Sequence, residues 1–494
     1  MSETAAYPAQ PLGRLLGLHG PVDVGIRGLT ADSRQVEDGF LFAALPGLKT
    51  DGRRFIPDAL DRGAAAILLP DDSETPDLPD CVCAIADPSP RQLYARLCAR
   101  FHAPQPRIMA AVTGTNGKTS VASFTRQIWA ATGHSAGSLG TLGVDSASYR
   151  APGGLTSPDP ADLHRHLAAL ASAGVTHAVC EASSHGLDQS RLDGVRWQAA
   201  AFTNLSRDHL DYHGSLEAYW HAKARLFGEL LPCGAQAIIH IDGEAGRRMA
   251  DLARGRGLDL ITVGSAADAE LRLLAADPEG DGQRLHVRWA GHEHSLSLPL
   301  PGRFQADNAL VAAALAGATA GDMEAALDAL AGLAPVAGRL EKLGETPVGA
   351  TLIVDYAHTP AGLATVLEAL RPHCSGRLAV VFGCGGDRDR GKRPEMGRIA
   401  AARADLVIIT DDNPRSEDPA AIRAEILAAC PDAREIADRA AAISDTAAKL
   451  DAGDILIIAG KGHEDGQIRG ERVIPHSDIT IAKSLTRQGG AGHD

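Results

Sequence analysis

A glycine-rich loop between an apolar segment and a helix-forming stretch is the feature that most constrains this chain. The apolar residues 108–112 lead into Gly114-Thr115-Asn116-Gly117-Lys118-Thr119, and a helical pattern follows from Ser120. The N–H groups of such a loop and the positive end of the next helix can cradle a polyphosphate. Lys118 is then placed to reach the β- and γ-phosphates, and the Thr119 hydroxyl to bind Mg²⁺. Position 112 is valine, whereas the pattern G-x-x-x-x-G-K-[ST] needs glycine there, so the loop is a more compact type.

Length and composition limit the class of protein. A chain of 494 residues predicts about three domains, and 45% hydrophobic with 4% aromatic residues is typical of packed α/β layers. The net charge of −14 argues against nucleic acid or an anionic membrane as the main partner. Eight cysteines without a C-x-x-C pair predict reduced thiols in a cytoplasmic protein. No signal-peptide pattern or membrane-length apolar run is present, so we expect no membrane insertion.

Two boundaries divide the chain into predicted domains at residues 1–103, 104–335 and 336–494. The first boundary lies in His102-Ala-Pro-Gln-Pro-Arg107, where two prolines prevent a helix from continuing. Apolar runs alternate with helical stretches in the second and third domains, which predicts α/β architecture with parallel sheets. Residues 270–300 depart from this alternation and predict antiparallel strands around Gly280-Asp-Gly282.

Polar groups follow two strand-like runs of the middle domain. Glu181 follows the run 177–180, where a carboxylate can hold the Mg²⁺ that bridges ATP phosphates. Asp208, His209 and Asp211 follow the run 199–204. The spacing of His209 and His213 leaves a zinc site open, but oxygen-rich ligation with one imidazole favours Mg²⁺ or Mn²⁺.

Four polar motifs follow the four predicted strands of the third domain. They are Asp355-Tyr-Ala-His-Thr-Pro360, Gly383-Cys-Gly-Gly-Asp-Arg-Asp-Arg390, Asp411-Asp-Asn-Pro-Arg415 and Gly460-Lys-Gly-His-Glu464. Because parallel strands end at one edge of a sheet, we expect these loops to converge on one pocket. Arg388 and Arg415 predict an anionic or zwitterionic ligand there, whereas Arg390 and Arg393 are better interpreted as a solvated basic face.

Together, the motifs G-T-N-G-K-T, E-x-S-S-H, S-R-D-H-L-D-Y-H, D-Y-A-H-T-P and G-K-G-H-E resemble those of the Mur ligase family of peptidoglycan synthesis, in order along nearly the whole chain. The resemblance implies an N-terminal UDP-binding domain, a central P-loop-type parallel-sheet ATPase domain and a C-terminal Rossmann-like domain. It also implies ATP-dependent amide formation, in which an acyl phosphate forms on the D-Glu side chain of UDP-MurNAc-L-Ala-D-Glu and an amine displaces the phosphate.

The resemblance also assigns the phosphate-transfer site. Lys118, His209 and Lys223 are the expected catalytic residues, and the expected Mg²⁺ ligands are Thr119, Glu181, His209 and Lys223. The last of these is expected to be carbamylated, although from the residues alone Lys223 reads as a surface lysine. The expected ATP contacts are Gly114, Thr115, Asn116, Gly117, Lys118, Thr119, Ser120, Asn308, Arg339, Asp355 and His358.

Two further sets of contacts come from the resemblance. The expected UDP-sugar contacts are Ala31, Ser33, Leu48, Lys49, Thr50, Thr156, Ser157, Ser183, Gln189 and Arg191. The expected amino-acid contacts are Arg388, Asp412, Asn413, Pro414, Arg415, Gly460 and Glu464. Family members that add meso-diaminopimelate carry D-N-P-R, and lysine-adding members lack its arginine. Arg415 can pair with the second carboxylate of diaminopimelate, and Glu464 is expected to meet the distal ammonium.

Two other functions stay open at this point. A folylpolyglutamate synthetase shares the compact phosphate loop, but it has no counterpart to the D-N-P-R and G-K-G-H-E pair. A non-catalytic sensor of UDP-sugar or nucleotide is the alternative from another class, against which Lys118, Glu181, His209 and Lys223 argue. We expect a monomer that acts on small molecules.

Overall fold

The structure is a computed structural model that describes residues 8–18, 24–47, 50–71 and 77–487. The predicted UDP-sugar contacts Leu48 and Lys49 lie outside the described residues. The chain forms two compact units: one of residues 1–111, 134–198 and 228–232, and one of residues 112–133, 199–227 and 233–494.

The N-terminal segment contains a small parallel sheet of four strands, in the order β3-β4-β5-β6. Its elements are β1 (Gln10–Pro11), α1 (Leu12–Leu16), β2 (Gly25–Ile26), β3 (Gly28–Thr30), β4 (Phe40–Ala43), α2 (Ile56–Asp61), β5 (Ala66–Pro70), β6 (Cys83–Asp87) and α3 (Pro90–Phe101). One face of the sheet packs on α1 and α3 through Leu12, Leu41, Leu68 and Leu97. Both faces of this sheet are buried, which explains why its strands are short apolar runs in the sequence.

The middle segment alternates strands and helices, as its sequence predicts. Its elements are β7 (Ile108–Thr113), α4 (Lys118–Ala131), β8 (Ala136–Gly140), β9 (Gly143–Ser146), β10 (Arg150–Ala151), α5 (Pro160–Ser172), β11 (His177–Glu181), α6 (Ser184–Asp188), β12 (Ala199–Phe202), α7 (Leu210–His213), α8 (Leu216–Arg225), β13 (Gln236–His240), α9 (Glu244–Gly255), β14 (Asp259–Gly264), β15 (Leu271–Glu279), β16 (Gly282–Trp289), β17 (His292–Leu298), α10 (Arg303–Ala320) and α11 (Met323–Asp328). In the first unit β11 runs parallel to β8. In the second unit β12, β13, β14 and β15 are parallel, and β15, β16 and β17 pair antiparallel, which confirms the expected antiparallel strands.

The C-terminal segment forms a second sheet with helices on both faces, in the order β18-β19-β23-β20-β21-β22. Its elements are β18 (Glu341–Glu345), β19 (Thr351–Asp355), α12 (Pro360–Leu370), β20 (Leu378–Phe382), α13 (Lys392–Arg403), β21 (Leu406–Ile409), α14 (Pro419–Leu427), β22 (Arg434–Glu435), α15 (Arg439–Ala447), β23 (Ile455–Ala459), β24 (Gly466–Arg469), β25 (Arg472–Pro475) and α16 (Asp478–Leu485). Strands β19, β23, β20 and β21 are parallel, so their carboxyl ends share one edge. The predicted α/β class with parallel sheets is confirmed.

Two global expectations can be compared with these elements. All eight cysteines are free, and five of them are buried. Within the described ranges, the helices are all too short or too polar to cross a bilayer.

Candidate active site

The phosphate loop needs both of its glycines because other groups approach them closely. At Gly114, where φ is +147°, an added Cβ would lie 1.9 Å from Thr203 Oγ1. At Gly117, where φ is +88°, it would lie 2.3 Å from Asn308 Oδ1. Helix α4 begins at Lys118, two residues before the predicted start, so Thr119 and Ser120 lie in its first turn. Its positive end therefore points at the loop.

Hydrogen bonds from the segment after β12 fix the shape of this loop. The Thr115 hydroxyl donates to Ser206 O (3.3 Å) and accepts from the Ser206 N–H (3.0 Å). The Asn116 N–H donates to Asn204 Oδ1 at 3.0 Å. Lys118 Nζ donates to the carbonyls of Gly114 (3.0 Å) and Thr115 (2.8 Å), so its ammonium lies within the loop.

Lys223 is buried beside the phosphate loop, with 1% of its surface exposed. Its Nζ donates to Gly114 O at 2.7 Å and lies 4.4 Å from the centre of the Tyr219 ring. Burial, reinforced by the charge of Lys118, holds the pKa of Lys223 well below its usual range. The interpretation as a surface lysine was wrong, because α8 turns this position inward.

Tyr219 lies in the same site, although no sequence motif pointed to it. It is 1% exposed, its ring contacts the rings of His209 and His213, and its hydroxyl lies 3.3 Å from Thr115 Oγ1. A tyrosine four residues before Lys223 on α8 shares its helix face, and this spacing was the available signal.

His209 and its neighbours bring charge to the same end of the second unit. His209 has a left-handed backbone (φ +52°), and its Nε2 lies 3.4 Å from Asp208 Oδ2. His358 Nε2 lies 3.9 Å from the same carboxylate. Burial opposes ionisation of Asp208, but His358, His209 and Lys392 hold its pKa below the usual range. A carboxylate with two imidazoles beside a buried amine is a donor set that suits a divalent cation.

One predicted nucleotide contact from the C-terminal segment, Arg339, reaches the helix turn that follows the phosphate loop. Arg339 Nη2 donates to Thr119 Oγ1 at 3.3 Å, and its guanidinium stacks on Tyr356 at 4.2 Å. Arg339 Nε is buried without a hydrogen-bond partner in the described part of the chain. Asp355 accepts the N–H groups of Leu340 (2.6 Å) and Ala357 (2.7 Å), and burial raises its pKa to about 6. Thr119, Asn308, Arg339, Asp355 and His358 thus all belong to the second unit.

In the first unit, Glu181 organises most of the predicted sugar-peptide contacts. Its carboxylate accepts the Thr141 N–H at 2.8 Å and the Thr141 hydroxyl at 3.2 Å. The Ser157 hydroxyl donates to Glu181 O at 3.0 Å and accepts from the Ser183 N–H and hydroxyl, both at 3.0 Å. The contact of Thr141 with Glu181 was not predicted, because Thr141 lies in the turn after β8 and belongs to no recognisable motif.

The same network extends to the other predicted contacts of this unit. Thr156 Oγ1 lies 3.0 Å from Thr141 Oγ1. Arg191 donates to Ser157 O (2.8 Å) and to Gln189 Oε1 (2.6 Å). Near the N-terminus, Ser33 is buried, Ala31 is half-buried and Thr50 is exposed.

The four loops of the C-terminal sheet converge, as their position at the strand ends predicts. The Gly460 N–H donates to Asp355 O at 3.1 Å, and the Gly386 N–H donates to Asn413 O at 2.9 Å. Asn413 Nδ2 donates to Glu464 Oε2 at 3.0 Å. Arg388 lies at the open side of this cluster, with its Nη1 3.9 Å from Asp211 Oδ2.

Arg415 is the cation in this cluster that most needs an anion. Its Nη1 donates only to main-chain carbonyls, those of Gly386 (2.9 Å) and Asn413 (3.4 Å). Partial burial and the neighbouring charge of Arg388 lower the pKa of Arg415. Within the described ranges no carboxylate forms an ion pair with it. A bound carboxylate would add a direct ion pair to the longer-range attraction of Asp412, Glu464 and Asp387.

The burial of Arg393 contradicts the prediction that it belongs to a solvated basic face. Its side chain is fully buried and bridges Glu417 and Glu425, both at 2.9 Å. It joins α13 to the segment that carries Arg415 and to α14, because a buried guanidinium needs carboxylate partners. Arg390 is 67% exposed, in agreement with the prediction.

A further group of potential metal ligands lies apart from the predicted set. His240 Nε2 is 3.8 Å from Asp242 Oδ2 and 3.7 Å from Asp307 Oδ1. Asp242 already accepts hydrogen bonds from the N–H groups of Ser265 and Ala266 and from the Ser265 hydroxyl. We therefore interpret this group as closing the turn after β14.

Three family models match the chain in succession. They are described as the Mur ligase family, catalytic domain (residues 25–102), the Mur ligase middle domain (112–316) and the Mur ligase, glutamate ligase domain (338–462). Similar curated relatives carry the name UDP-N-acetylmuramoyl-L-alanyl-D-glutamate--2,6-diaminopimelate ligase. The relative from Caulobacter vibrioides is 53% identical and covers 92% of this chain and 94% of its own length; that from Rhizobium meliloti is 51% identical and covers 96% of both.

Solved structures show the same three-domain fold. A structure with the same ligase name has a TM-score of 0.69 at 33% identity and covers 97% of this chain and 98% of its own. A folylpolyglutamate synthase from Mycobacterium tuberculosis has a TM-score of 0.60 at 23% identity and covers 73% of this chain and 89% of its own, a likeness of fold alone. Relatives that are more than 50% identical over nearly its whole length show that this chain belongs to the Mur ligase family.

Proposed function

We propose that the chain is an ATP-dependent amide ligase that joins meso-2,6-diaminopimelate to UDP-N-acetylmuramoyl-L-alanyl-D-glutamate in peptidoglycan synthesis. Relatives about half identical to this chain over nearly its whole length carry that ligase name. The observation that carries the choice of amino acid is Arg415, a half-buried guanidinium that has main-chain acceptors but no carboxylate partner among the described residues.

The reaction has two steps that balance without an external oxidant or reductant. An oxygen of the D-Glu carboxylate attacks the γ-phosphorus of ATP, the bond to the β-phosphate oxygen breaks, and ADP leaves. The amine of the incoming amino acid then attacks the acyl carbon, the bond to phosphate breaks, and the nitrogen loses a proton. The first step brings two anions together, a carboxylate and a triphosphate, so positioning and charge neutralisation supply most of the catalysis.

The second unit holds residues suited to that task. Lys118 and Arg339 place two cations at the phosphate loop, and the N-terminus of α4 adds its dipole. Asn308 contacts the loop at Gly117, while Asp355 and His358 are held by hydrogen bonds to the backbone of the C-terminal segment. We infer that these residues bind and orient the nucleotide at the phosphate loop.

We infer that Mg²⁺ is held by Thr119, His209 and a carbamylated Lys223. Mg²⁺ supplies neutralisation of phosphate charge when it is bound. Carbamylation needs a neutral amine, and the burial of Lys223 beside Lys118 provides one; the product is a carboxylate, which Mg²⁺ prefers as a ligand. Glu181 stays a predicted ligand from the sequence. We also infer that the enzyme is monomeric and cytoplasmic. Its free cysteines favour the cytoplasm, where thiols stay reduced.

The decisive experiment measures phosphate release with ATP, the UDP-linked dipeptide and either meso-diaminopimelate or L-lysine. We expect release to require both the dipeptide and an amino acid, with strong preference for diaminopimelate. Release without a need for the dipeptide would contradict ligation, and a need for a folate would favour the folylpolyglutamate alternative. Equal rates with lysine would refute the role of Arg415.

Replacing the guanidinium tests the specificity more directly. Arg415→Ala should lower kcat/KM for diaminopimelate by about 10- to 100-fold, since a charged hydrogen-bonded pair is lost, and leave the KM for ATP within about twofold. Arg390→Ala is the matched control, because Arg390 is exposed and pairs with Glu417. A similar loss in both variants would contradict a specific contact.

A further inference from the structure

The backbone of Arg415 adopts a conformation that its neighbours must enforce. Its φ is +52°, a left-handed value that residues other than glycine rarely adopt. The two backbone polar groups of Arg415 bond to strand β24 and to the turn after it: its N–H donates to Ile468 O at 3.0 Å, and its carbonyl accepts from the Gly470 N–H at 2.7 Å. The hairpin β24–β25 therefore holds Arg415 in this conformation.

Gln467 fixes the other end of the same loop. Its side chain is buried, and Nε2 donates to the carbonyl of Asp412 at 2.7 Å. The neighbouring Ile468 N–H donates to Asn413 Oδ1 at 2.9 Å. Consecutive residues of β24 thus hold Asp412, Asn413 and Arg415, leaving little freedom to the segment that carries the guanidinium.

Lys461 connects this loop with Glu464. Its side chain is fully buried, and Nζ donates to Asn413 Oδ1 at 3.1 Å and to Glu464 Oε2 at 2.8 Å. Asn413 Nδ2 donates to the same carboxylate oxygen, and the Tyr356 hydroxyl donates to Glu464 Oε1 at 3.4 Å. An ammonium that is fully buried costs desolvation free energy, which this ion pair and its hydrogen bonds offset.

The two charged groups of the pocket are consequently held in different ways. Glu464 is oriented by three donors, whereas the Arg415 side chain meets only main-chain carbonyls and keeps donors for a ligand. The distance between these groups depends on Lys461 and Gln467, neither of which is exposed to a ligand. A displacement of about 1 Å is enough to weaken a bidentate contact severely.

We propose that Lys461 and Gln467 are positioning residues that set amino-acid specificity, by fixing Arg415 and Glu464 at the separation that one acceptor requires. This inference rests on the proposed function, because it takes the Asp412–Arg415 loop as the acceptor site. It adds to that function two residues behind the acceptor site, and it gives the hairpin β24–β25 a role in amino-acid selection.

The test replaces the two side chains without adding bulk. Gln467→Met removes the donor to Asp412, and Lys461→Met removes the ammonium between Asn413 and Glu464. We expect Gln467→Met to raise the KM for diaminopimelate about 10-fold and to reduce its preference over lysine by a similar factor. The KM for ATP and kcat at saturating acceptor should stay within about threefold. Val473→Thr on the exposed strand of the same hairpin is the control.

Amide hydrogen exchange provides a readout that does not depend on turnover. In Gln467→Met the amides of Arg415 and Gly470 should exchange at least about 10-fold faster than in the wild type, whereas amides of β23 should not change. If wild-type protein releases no phosphate with diaminopimelate, the proposed function fails, while exchange still reports whether the hairpin holds the loop. An unchanged KM, preference and exchange in Gln467→Met would overturn the positioning role, whether or not Lys461→Met folds.

Discussion

At the scale of single residues, burial changes the chemistry of Lys223. The charged form of an amine loses solvation in a buried site, and Lys118 adds repulsion, so the neutral form is favoured. A neutral amine can add carbon dioxide and lose a proton to become a carbamate anion, which is the modification that we propose for Lys223. In that proposed form Lys223 would offer an anionic oxygen to a metal ion beside Gly114 and Thr119.

Lys223 can be tested by isotope labelling. Wild-type protein in ¹³C-bicarbonate should show a carbamate signal by NMR that is absent in Lys223→Met, and activity of this variant should fall about 100-fold, as expected when a charge-stabilising group is lost. Lys342→Met, which removes an exposed surface lysine, should keep both the signal and the activity. A wild-type protein without the signal, or an active Lys223→Met, would contradict the assignment.

At the scale of elements, the strand–loop–helix unit depends on close backbone approach at Gly114. The added Cβ of alanine would collide with Thr203 Oγ1, 1.9 Å away, at a φ of +147° that side chains rarely adopt. We expect Gly114→Ala to weaken ATP binding at least about 10-fold, since strain of about 1–3 kcal/mol falls on the loop itself.

The matched control for this substitution lies on another helix. Gly255→Ala, at the end of α9, adds a Cβ with no atom within 4 Å, so it should leave nucleotide affinity unchanged and keep or slightly raise thermal stability. Isothermal titration with ATP compares the two variants. Equal affinities would show that the loop relaxes around the methyl group.

At the scale of the whole molecule, buried neutral histidines determine the response to acid. Burial lowers the pKa of His102, His177 and His463 to about 4 and that of His164 to about 3. Unfolded histidine titrates near pH 6.5, so the unfolded chain binds protons first as the pH falls. The stability from these groups is complete above pH 6.5 and is lost as the pH falls towards 4.

We therefore expect the free energy of unfolding to decrease between pH 6.5 and pH 4.5, by about 1.4 kcal/mol per pH unit for each histidine that stays neutral in the fold. His164 is the clearest case, since its Nε2 is buried without a hydrogen-bond partner in the described residues. Arg196 and the neighbouring His102 also disfavour its protonation. In urea unfolding, the free energy of unfolding of His164→Gln should fall less steeply with decreasing pH than that of the wild type, by the equivalent of about one bound proton. Parallel pH profiles of the two proteins would disprove this.

The sequence predicted the elements best where hydrophobic runs were long and capped. Strands β20 and β23 end directly before the predicted polar motifs at Gly383 and Gly460, since long apolar runs and the breakers after them define buried strands. The hairpin β24–β25 was missed because Arg472–Pro475 is exposed and carries no apolar alternation. Its stability comes from hydrogen bonds to the Asp412–Arg415 loop, which lies about fifty residues earlier in the chain.

By itself the sequence determined the α/β class, the phosphate loop and the four polar loops at one sheet edge, because strand order along the chain and local turn chemistry are short-range properties. Only the tertiary structure decided which side chains lose solvent. It placed Lys223 and Arg393 inside, gave Tyr219 and Thr141 their contacts, and set Lys461 and Gln467 behind Arg415. Burial and long-range pairing depend on distant segments, so neither can be read from a local motif.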